Sequence, residues 1–496
     1  MSLDVVLLAG AAVLLAALGA ARLSSWLGLP SLLLFLFLGV GVGIWVDFDD
    51  AQMAHDLGFA ALVLILAEGG FTTKWREIRS VLTLAGLLAT VGVGTSIVAM
   101  TLFSHFVLGL DLATALLLGA ITAPTDSAAV FSVLRRVPIP GRFRAVLEAE
   151  SGLNDAPVVL LVTAATAWAL GESTESPVEI LGMVAFELLG GLVVGLVIGW
   201  VGARVLKKIA LPASGLYPLG AMGWALLADG AGASLHVSGF AAVYICAMVL
   251  GNSDLPHRNA TKSFAEGVGW VAQIGLFVML GLLAHPERFS PQVLTVGVIA
   301  GLFLTVIARP LSVAVCSVWF RMPWREQAFL SWAGLRGAVP IIMATVPLAS
   351  PLTQARELFD LVFVFVVVYT TLQAPTLEWV ARKLGVTTGD DAVDIEVEVA
   401  PLDKIQADFM QIKVPPGSQL HGVTVFELRL PPSTVVSLII RDGKPFAPGS
   451  RDVIRAGDEL LVVVPSRFRY QVETRFKQVG RGGRLSRWRD TQPDSS

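Results

Sequence analysis

The sequence has little charge for its length. Only 15% of its 496 residues are Asp, Glu, Lys or Arg, whereas soluble proteins average about 25%. The formal net charge is −3, and 54% of the residues are hydrophobic. This balance excludes a disordered chain, argues against a soluble enzyme of this size and gives no basic excess for binding nucleic acid. It predicts a polytopic membrane protein.

Cysteine and metal-ligand patterns are scarce as well. Cys246 and Cys316 both lie in apolar runs, which argues against a disulfide framework. No Cys/His cluster has the spacing of a metal site, and no cofactor is expected. The first apolar run opens with Asp4 instead of a basic segment, so a cleaved signal peptide is not expected either.

Long apolar runs fill the first 385 residues. Thirteen can be placed, most of them roughly 17–28 residues long, which is enough to cross about 30 Å of hydrocarbon. They lie near residues 4–21, 29–46, 57–72, 81–107, 112–134, 145–170, 178–203, 214–229, 235–251, 263–284, 292–320, 326–350 and 357–380. The predicted fold is an all-α polytopic membrane protein with about 13 transmembrane helices.

Basic residues are concentrated in alternate loops. One set of loops carries Arg22; Lys74, Arg76, Arg79; Arg135, Arg136, Arg142, Arg144; Arg204, Lys207, Lys208; Arg258, Lys262; Arg321, Arg325; Arg382 and Lys383. The opposite loops carry only Arg288 and Arg356. By the positive-inside rule the first set is cytoplasmic. The N-terminus is then outside and the C-terminus inside the cell (inner or plasma) membrane, which requires an odd number of spans.

The composition changes near residue 385. We predict a transmembrane domain over 1–385, an acidic linker over 386–400, a small α/β cytoplasmic domain over 401–468 and a basic, flexible tail over 469–496. Short β-type runs at 410–414, 435–440 and 459–464, separated by turn signals, support the small domain. For the tail, contact with anionic membrane lipid is the alternative.

Seven ionisable residues stand within the apolar runs. Such groups cost at least about 2.5–3.5 kcal/mol each at mid-bilayer and mark function by default. They are Glu68, Asp126, Glu150, Asp155, Glu187, Arg309 and Arg336. Five of them, all except the glutamates at 150 and 187, fall roughly 9–17 Å below the cytoplasmic surface at 1.5 Å per residue. A shared layer indicates a site rather than separate snorkelling side chains.

Two of the spans are interrupted. Residues 123–127 (APTDS) and 334–340 (GLRGAVP) each contain a proline, which removes a backbone donor and disfavours helix before it. Broken transmembrane helices expose carbonyl oxygens that can coordinate cations. Two breaks in comparable positions predict inverted repeats with two broken crossing helices, as in secondary transporters. A proline kink without a site is the alternative.

These residues resemble a known family. Thr125-Asp126 is followed 29 residues later by Asn154-Asp155, with residues 68–70 (EGG) upstream and 334–338 (GLRGA) downstream. This combination resembles the monovalent cation:proton antiporter-1 family. The resemblance covers about residues 1–385. It implies exchange of a monovalent cation for protons and no enzymatic reaction. It also implies a homodimer in which an interface part and a mobile core part expose one site alternately to each side.

The resemblance assigns the cation site. Asp155 would hold either the cation or the proton, and competition for this carboxylate is sufficient for exchange if only the loaded forms cross. The other expected contributors bear oxygen atoms, the ligands that hard cations prefer. They are Asp126, Ser151, Thr125 through its backbone, and Glu68, which would line or complete the site.

Four supporting residues follow from the same resemblance. Asn154 stands where electrogenic relatives have an aspartate, which implies electroneutral exchange of one cation for one proton. Glu150 would be held by a structural arginine, for which Arg336 is preferred to Arg309 although the sequence does not separate them.

Residues 401–468 resemble the C-terminal, ligand-binding half of potassium-uptake and potassium-conductance regulators (TrkA-C or RCK-C-like). The resemblance lies in residues 415–418 (PPGS), 420–422 (LHG), 436–442 and 456–460 (AGDEL). It implies a domain that dimerises and binds a small regulatory ligand; a dimerisation or stability module is the alternative. This domain favours potassium over sodium, because the combination resembles cell-volume-regulation-type potassium/proton antiporters. A sodium/proton antiporter of the same fold is the alternative.

Two other functions find weaker support in the sequence. Residues 90–94 (TVGVG) resemble a potassium-channel filter, but such a filter needs a re-entrant loop contributed four times. Here the pentapeptide occurs once, within a long apolar run, where small residues suit close helix packing. Two intramembrane aspartates could also form an aspartyl protease dyad. The Gly-x-Gly-Asp motif of such proteases is missing from the spans.

Overall fold

The chain divides into two compact units in the computed structural model, Met1–Thr387 and Thr388–Ser496. The structure describes residues 3–27, 29–46, 48–126, 129–130, 139–172, 176–387, 397–402, 407–415 and 417–482. Most of the predicted acidic linker and the end of the predicted tail lie outside these residues.

All regular secondary structure described in the first unit is helical. Its α-helices are α1 (Leu3–Leu27), α2 (Ser31–Gly43), α3 (Ala51–Thr72), α4 (Trp75–Ile78), α5 (Leu82–Leu87), α6 (Val93–Phe106), α7 (Leu112–Thr122), α8 (Gly141–Ala169), α9 (Pro177–Lys208), α10 (Leu216–Ser234), α11 (Gly239–Asn252), α12 (Arg258–Leu283), α13 (Pro291–Phe303), α14 (Arg309–Ser317), α15 (Trp324–Ala333), α16 (Ala338–Leu348) and α17 (Ala355–Leu384). π-helical segments join α5 to α6 (Leu88–Gly92) and α13 to α14 (Leu304–Ala308).

Among the helices whose bounds are given above, five begin with a polar side chain that accepts a hydrogen bond from the first turn. The capping residues are Asp50, Asp111, Ser176, Ser238 and Ser290. Each satisfies one of the backbone donors that a helix start leaves unpaired. All five lie at the side predicted to be outside, so the outer helix ends are fixed by local sequence.

The membrane spans can be counted by length and composition. Within the described residues, eight helices are long and apolar enough to cross a membrane, or nine if α15 and α16, which are bent by 53° at their break, form one span. Three shorter apolar helices, α2, α7 and α11, add to these. The multi-pass helical fold is confirmed, while the count of thirteen stays a prediction.

The helices pack as two groups. In the first group, α12 packs along α2 and α3, and α11 packs against α3, α9 and α10. In the second group, α6 and α8 pack against α7, and α13, α15 and α16 pack along α17. Contacts between the groups are sparser and involve mainly α3 with α16, and α8 with α9 and α11.

The second group contains the same sequence of elements twice. A helix with a π-helical segment comes first (α5–α6 and α13–α14), then a span that breaks (α7 and α15–α16), then a long helix with an internal proline (Pro157 in α8, Pro375 in α17). In the predicted topology the two series run in opposite directions. This agrees with the predicted inverted repeats, although the chain after the first break is described only at residues 129–130.

The second unit is a small α/β domain. Its sheet has the strand order β1-β2-β5-β3-β4, formed by β1 (Val397–Leu402), β2 (Ala407–Lys413), β3 (Val435–Arg441), β4 (Lys444–Phe446) and β5 (Glu459–Pro465). All described strand pairs are antiparallel. Asp442 and Gly443, both with positive φ, make the two-residue turn between β3 and β4, as type I′ hairpins require.

The predicted end of this domain at residue 468 differs from the structure. A helix, α18 (Arg469–Gly482), follows β5, and its residues Val472, Phe476 and Val479 are buried in the domain core. The spacing of these three residues places them on one helical face. The basic composition of the segment concealed this amphipathic pattern, so the start of the predicted tail belongs to the folded domain.

Candidate functional site

The two chain breaks lie against each other. α7 ends at Thr122, and the backbone N–H of Asp126 donates to the carbonyl oxygen of Leu335 in the other break at 3.0 Å. Arg336 reaches back to α7, donating from Nε to the carbonyl oxygen of Thr122 (3.4 Å) and from Nη2 to that of Ala123 (3.2 Å). These carbonyl groups have no helical partner at a helix end. The buried Arg336 therefore caps α7 and holds the breaks together.

Gly334 and Gly337 make room for charged side chains. A Cβ at Gly334 would lie 2.7 Å from Nε of Arg309, and one at Gly337 would lie 2.8 Å from Cγ of Asp126. Both distances are shorter than real Cβ contacts. The Gly-x-x-Gly spacing in the second break is thus explained by the approach of two side chains, one from α14 and one from the first break.

Glu150 is held by Arg309, not by Arg336. Arg309 donates from Nη1 and Nη2 to the two carboxylate oxygens of Glu150 at 2.6 and 2.9 Å, and both side chains are buried. The sequence-based preference for Arg336 is therefore wrong. Arg309 follows the π-helical segment and precedes Pro310, whose missing N–H disturbs the regular helix there. The pair joins α14 to α8.

Thr125 is the centre of a buried polar network. Its hydroxyl lies 3.1 Å from Oγ of Ser151 and donates to Oε1 of Glu150 at 3.4 Å. The amide of Asn154 donates to the same hydroxyl at 3.1 Å and to the backbone carbonyl oxygen of Thr125 at 3.5 Å. The predicted residues Thr125, Ser151, Asn154 and Glu150 are therefore brought together between the first break and α8.

Asp155 follows this network on α8 and is buried, with 3% of its surface exposed. Its Oδ1 and the Oδ1 of Asn154 have no hydrogen-bond partner among the described residues. Its carboxylate lies close enough to that of Asp126 to interact electrostatically. Asp126 also accepts a hydrogen bond from the backbone N–H of Ala129 at 3.2 Å. Unpaired buried oxygens beside a second carboxylate can bind a proton or a hard cation.

The donor atoms of the cluster are oxygens. They comprise carboxylates, hydroxyl groups, a side-chain amide and backbone carbonyl groups. In the described part of the chain, no three His, Cys, Asp or Glu residues are arranged to hold a metal ion. Oxygen donors suit hard cations, whereas transition metals prefer nitrogen and sulfur ligands.

Glu68 is placed differently from the other predicted residues. It lies on α3 in the first helix group, and its side chain packs against Gly269 of α12, where a Cβ would lie 2.8 Å from its Cγ. This contact does not test the predicted role of Glu68, which stays a prediction.

Sequence reasoning missed Tyr244 and Thr370. The hydroxyl of Tyr244, on α11, packs so closely on Gly152 that a Cβ there would lie 2.7 Å from it, and it lies 3.5 Å from Oγ1 of Thr73. This contact crosses between the helix groups one residue from Ser151. Thr370 on α17 donates to the carbonyl oxygen of Arg336. Both lie in apolar helices with no local motif, so no sequence signal marked them.

The filter-like residues 90–94 are helical. They continue from the π-helical segment Leu88–Gly92 into α6, and the Thr90 hydroxyl donates to the carbonyl oxygen of Gly86 in its own helix at 2.7 Å. Carbonyl groups used within a helix cannot form a selectivity filter. This structure opposes the channel alternative.

The comparisons with known proteins decide the family. Residues 12–383 match the family described as sodium/hydrogen exchanger, transmembrane. The chain belongs to this family. Residues 409–471 match the TrkA-C domain. The chain is therefore a multi-pass membrane protein of an antiporter family with a C-terminal TrkA-C domain, and the predicted cation/proton antiport is confirmed.

Curated relatives and a solved structure agree with this assignment. The chain is 32% identical over 428 residues to "K(+)/H(+) antiporter NhaP" of Alkalimonas amylolytica, covering 84% of this chain and 73% of the relative. It is 30% identical over 475 residues to "K(+)/H(+) antiporter NhaP2" of Shewanella baltica, covering 94% and 82%. The sodium proton antiporter MjNhaP1 from Methanocaldococcus jannaschii shares the fold, with a TM-score of 0.66 and 23% identity over 77% of this chain and 99% of that chain.

Proposed function

We propose that this antiporter exchanges potassium for protons and that Asp155 is the carboxylate that carries both. The observation that supports this most directly is the buried Oδ1 of Asp155, which has no hydrogen-bond partner in the described structure. A buried carboxylate without partners is stable when it binds a proton or a cation. It cannot bind both, which couples the two fluxes.

The cluster suggests how each ion is held. The cation would contact Asp155 and Asp126, with Ser151 and the backbone carbonyl group of Thr125 completing an oxygen shell. When the cation leaves, a proton neutralises Asp155. The ion pair of Glu150 with Arg309 keeps α8 in register with α14, so that these ligands do not move apart.

Alternating access would come from movement of the second helix group against the first. Contacts are dense within each group and sparser between them, as expected for two bodies that move. The site lies on the second group, at its boundary with the first, where Gly152 meets Tyr244. We propose a homodimer in which the first group forms the interface and Glu68, on that group, completes the site in one of the states.

Potassium is favoured over sodium by two features. The curated relatives at 30–32% identity carry the name K(+)/H(+) antiporter, and the TrkA-C domain resembles a module of potassium regulators. The domain would bind a small ligand and set the transport rate in cell-volume and potassium homeostasis. Sodium is the second candidate, since the solved structure that shares the fold is that of a sodium proton antiporter.

Proton flux in proteoliposomes tests the proposal. Wild-type protein should move protons in response to potassium and rubidium gradients more strongly than in response to sodium or lithium. Truncation after residue 390 should leave exchange intact and change its regulation. If only sodium drives exchange, sodium replaces potassium as the proposed substrate. If no cation causes proton movement, the proposal is refuted.

A further inference from the structure

A cluster of charges links the loops at the outer side of the transmembrane unit. Asp49, in the loop between α2 and α3, lies 2.6 Å from Nη1 of Arg356 at the start of α17. The same carboxylate oxygen lies 3.6 Å from Arg288 and 3.8 Å from Nε2 of His285. His285 and Arg288 belong to the connection between α12 and α13. One carboxylate thus contacts three basic side chains.

This cluster explains the exceptions in the loop charges. Arg288 and Arg356 are the two basic residues that the sequence places in outer loops, against the prevailing distribution. Both contact Asp49. Residues placed against the topology rule and gathered on one carboxylate indicate a function for the charges themselves.

The cluster bridges the two helix groups. Asp49 belongs to the first group, Arg356 to the second, and Arg288 to the segment that connects them. A second outer contact between the groups lies nearby in sequence, where Nδ1 of His55 on α3 is 3.4 Å from Oγ1 of Thr345 on α16. Any movement that opens the site to the outside by separating these ends must break the contact of Asp49 with Arg356.

We propose that Asp49 and Arg356 form an ionic gate that holds the outer ends of the two helix groups together while the site is closed to the outside. The gate rests on the proposed function, because it requires the second group to move during exchange. Arg288, 3.6 Å from the same carboxylate oxygen, strengthens it as a second positive charge, while His285 lies at the edge of the cluster with its Nδ1 on Glu287. It acts on the equilibrium between the two access states and not on the cation site.

The chemistry of the cluster suits a reversible contact. The side chains of Asp49 and Arg356 are 43% and 38% exposed, so water can replace each partner when the pair separates. Burial of Asp49 opposes its ionisation, but the hydrogen bonds and charges of Arg356 and Arg288 outweigh it and hold its pKa below the usual value. The carboxylate therefore stays charged throughout the neutral pH range. Exposed pairs are weak, which permits opening on each cycle.

Neutralising the gate should shift access toward the outside. In proteoliposomes of defined orientation, Asp49→Asn should lower the half-saturating cation concentration at the outer face about two- to fivefold, while that at the inner face stays unchanged or rises. Arg356→Gln should do the same. Arg356→Lys keeps the charge and should stay near wild type. An equal change in the half-saturating cation concentration at both faces, or no change at either face, would refute the proposed gate.

Cross-linking gives a second measurement that does not depend on affinity. The native cysteines Cys246 and Cys316 are buried. A membrane-impermeant bismaleimide that bridges Asp49→Cys and Arg356→Cys should stop exchange. The matched control is His105→Cys with Leu110→Cys, a half-buried outer pair in the second group, where Nδ1 of His105 lies 2.9 Å from the backbone carbonyl oxygen of Leu110. Its cross-linking should leave exchange active.

The two proposals fail in different ways. If wild-type vesicles show exchange and the bridged Asp49→Cys/Arg356→Cys protein exchanges at the same rate, the gate is refuted and the antiport stands. If wild-type vesicles show no cation-dependent proton movement, the proposed function is refuted and the gate falls with it.

Discussion

The backbone amide of Asp126 and the carbonyl oxygen of Leu335 join the two broken spans through one hydrogen bond of 3.0 Å. Each break satisfies a backbone group of the other. The side chain of Arg336 also donates hydrogen bonds to the carbonyl oxygens of Thr122 and Ala123. Irregular backbone at membrane depth is tolerated only where it is buried in protein or lines a cavity. The two breaks therefore satisfy each other's backbone groups where they cross, close to the network of Thr125 and Asn154 that precedes Asp155 on α8.

The first prediction concerns Asp155. Asp155→Asn keeps the shape of the side chain but removes its negative charge, so it can neither bind a cation strongly nor exchange a proton. We expect loss of cation-dependent proton movement in proteoliposomes with normal yield and thermal stability. Asp229→Asn, at a half-buried carboxylate on α10, is the control and should retain exchange. Exchange at the wild-type rate in Asp155→Asn would refute the assignment of this carboxylate.

The second prediction separates the two candidate arginines. Arg309→Ala leaves Glu150 buried and unpaired, which should cost about 3–5 kcal/mol of stability. The effects of Arg309→Gln and Glu150→Gln should be strongly non-additive in a double-mutant cycle, measured by thermal unfolding in detergent.

Arg336 provides the contrast in the same cycle. Because Arg336 caps α7 instead of pairing with Glu150, the effects of Arg336→Gln and Glu150→Gln should be closer to additive. Strong coupling of Glu150 to Arg336 and weak coupling to Arg309 would contradict the structure.

The third prediction concerns Gly337. In Gly337→Ala the new Cβ would lie 2.8 Å from Cγ of Asp126, so the carboxylate or the break must move. We expect a large loss of exchange rate while the protein still folds. Gly86→Ala, on α5 in the same helix group, meets nothing within 4 Å and should be neutral or slightly stabilising. Equal exchange rates in the two variants would show that Asp126 need not be held at Gly337.

The sequence predicts a common depth for the site residues but not which of their side chains meet. Asp126, Asp155, Arg309 and Arg336 were placed at one depth because helix rise and loop charges fix depth along each span. Which arginine meets Glu150 depends on the rotation of each helix, and one π-helical turn before Arg309 changes that rotation. Periodicity does not report such a turn.

The same limit explains two other differences. Tyr244 contacts Gly152 across helix groups, a relation that needs the packing of helices far apart in sequence. α18 was assigned to a flexible tail because its surface charges outweigh the three residues that it buries. In contrast, the predicted runs 435–440 and 459–464 match β3 and β5 to within one residue, since turn residues bound them, whereas β2 begins three residues before the predicted run 410–414.

The fourth prediction concerns the ion pair of the small domain. Arg441 donates to both carboxylate oxygens of Asp458 at 2.8 and 2.7 Å, and Asp458 is buried. Burial opposes ionisation of Asp458, but Arg441 and the backbone N–H of Arg455 outweigh it and lower its pKa. A carboxyl group whose pKa is lower in the folded state stabilises the fold above its unfolded pKa and loses this effect as the pH falls through the folded value.

Stability of the small domain should therefore be constant at neutral pH and fall only in acid. Asp458→Asn should lower it by about 3 kcal/mol at neutral pH, measured on the full-length protein by protease cleavage within residues 397–482 at increasing urea. Asp442→Asn, in the neighbouring exposed turn, is the control. A domain equally resistant in both variants would contradict a stabilising role for this pair.

The fifth prediction concerns charge movement. Asn154 donates its amide to Thr125 and cannot take up a proton, so one carboxylate, Asp155, exchanges one proton for one cation. An imposed membrane potential should then leave the exchange rate unchanged, because each cycle moves no net charge. Asn154→Asp adds a second titratable group beside Asp155 and should make exchange sensitive to the potential, or stop it if the added charge traps the cation. Asn154→Gln keeps the amide and should stay insensitive. Wild-type exchange that is driven by voltage would refute the one-for-one stoichiometry while leaving Asp155 as the carrier.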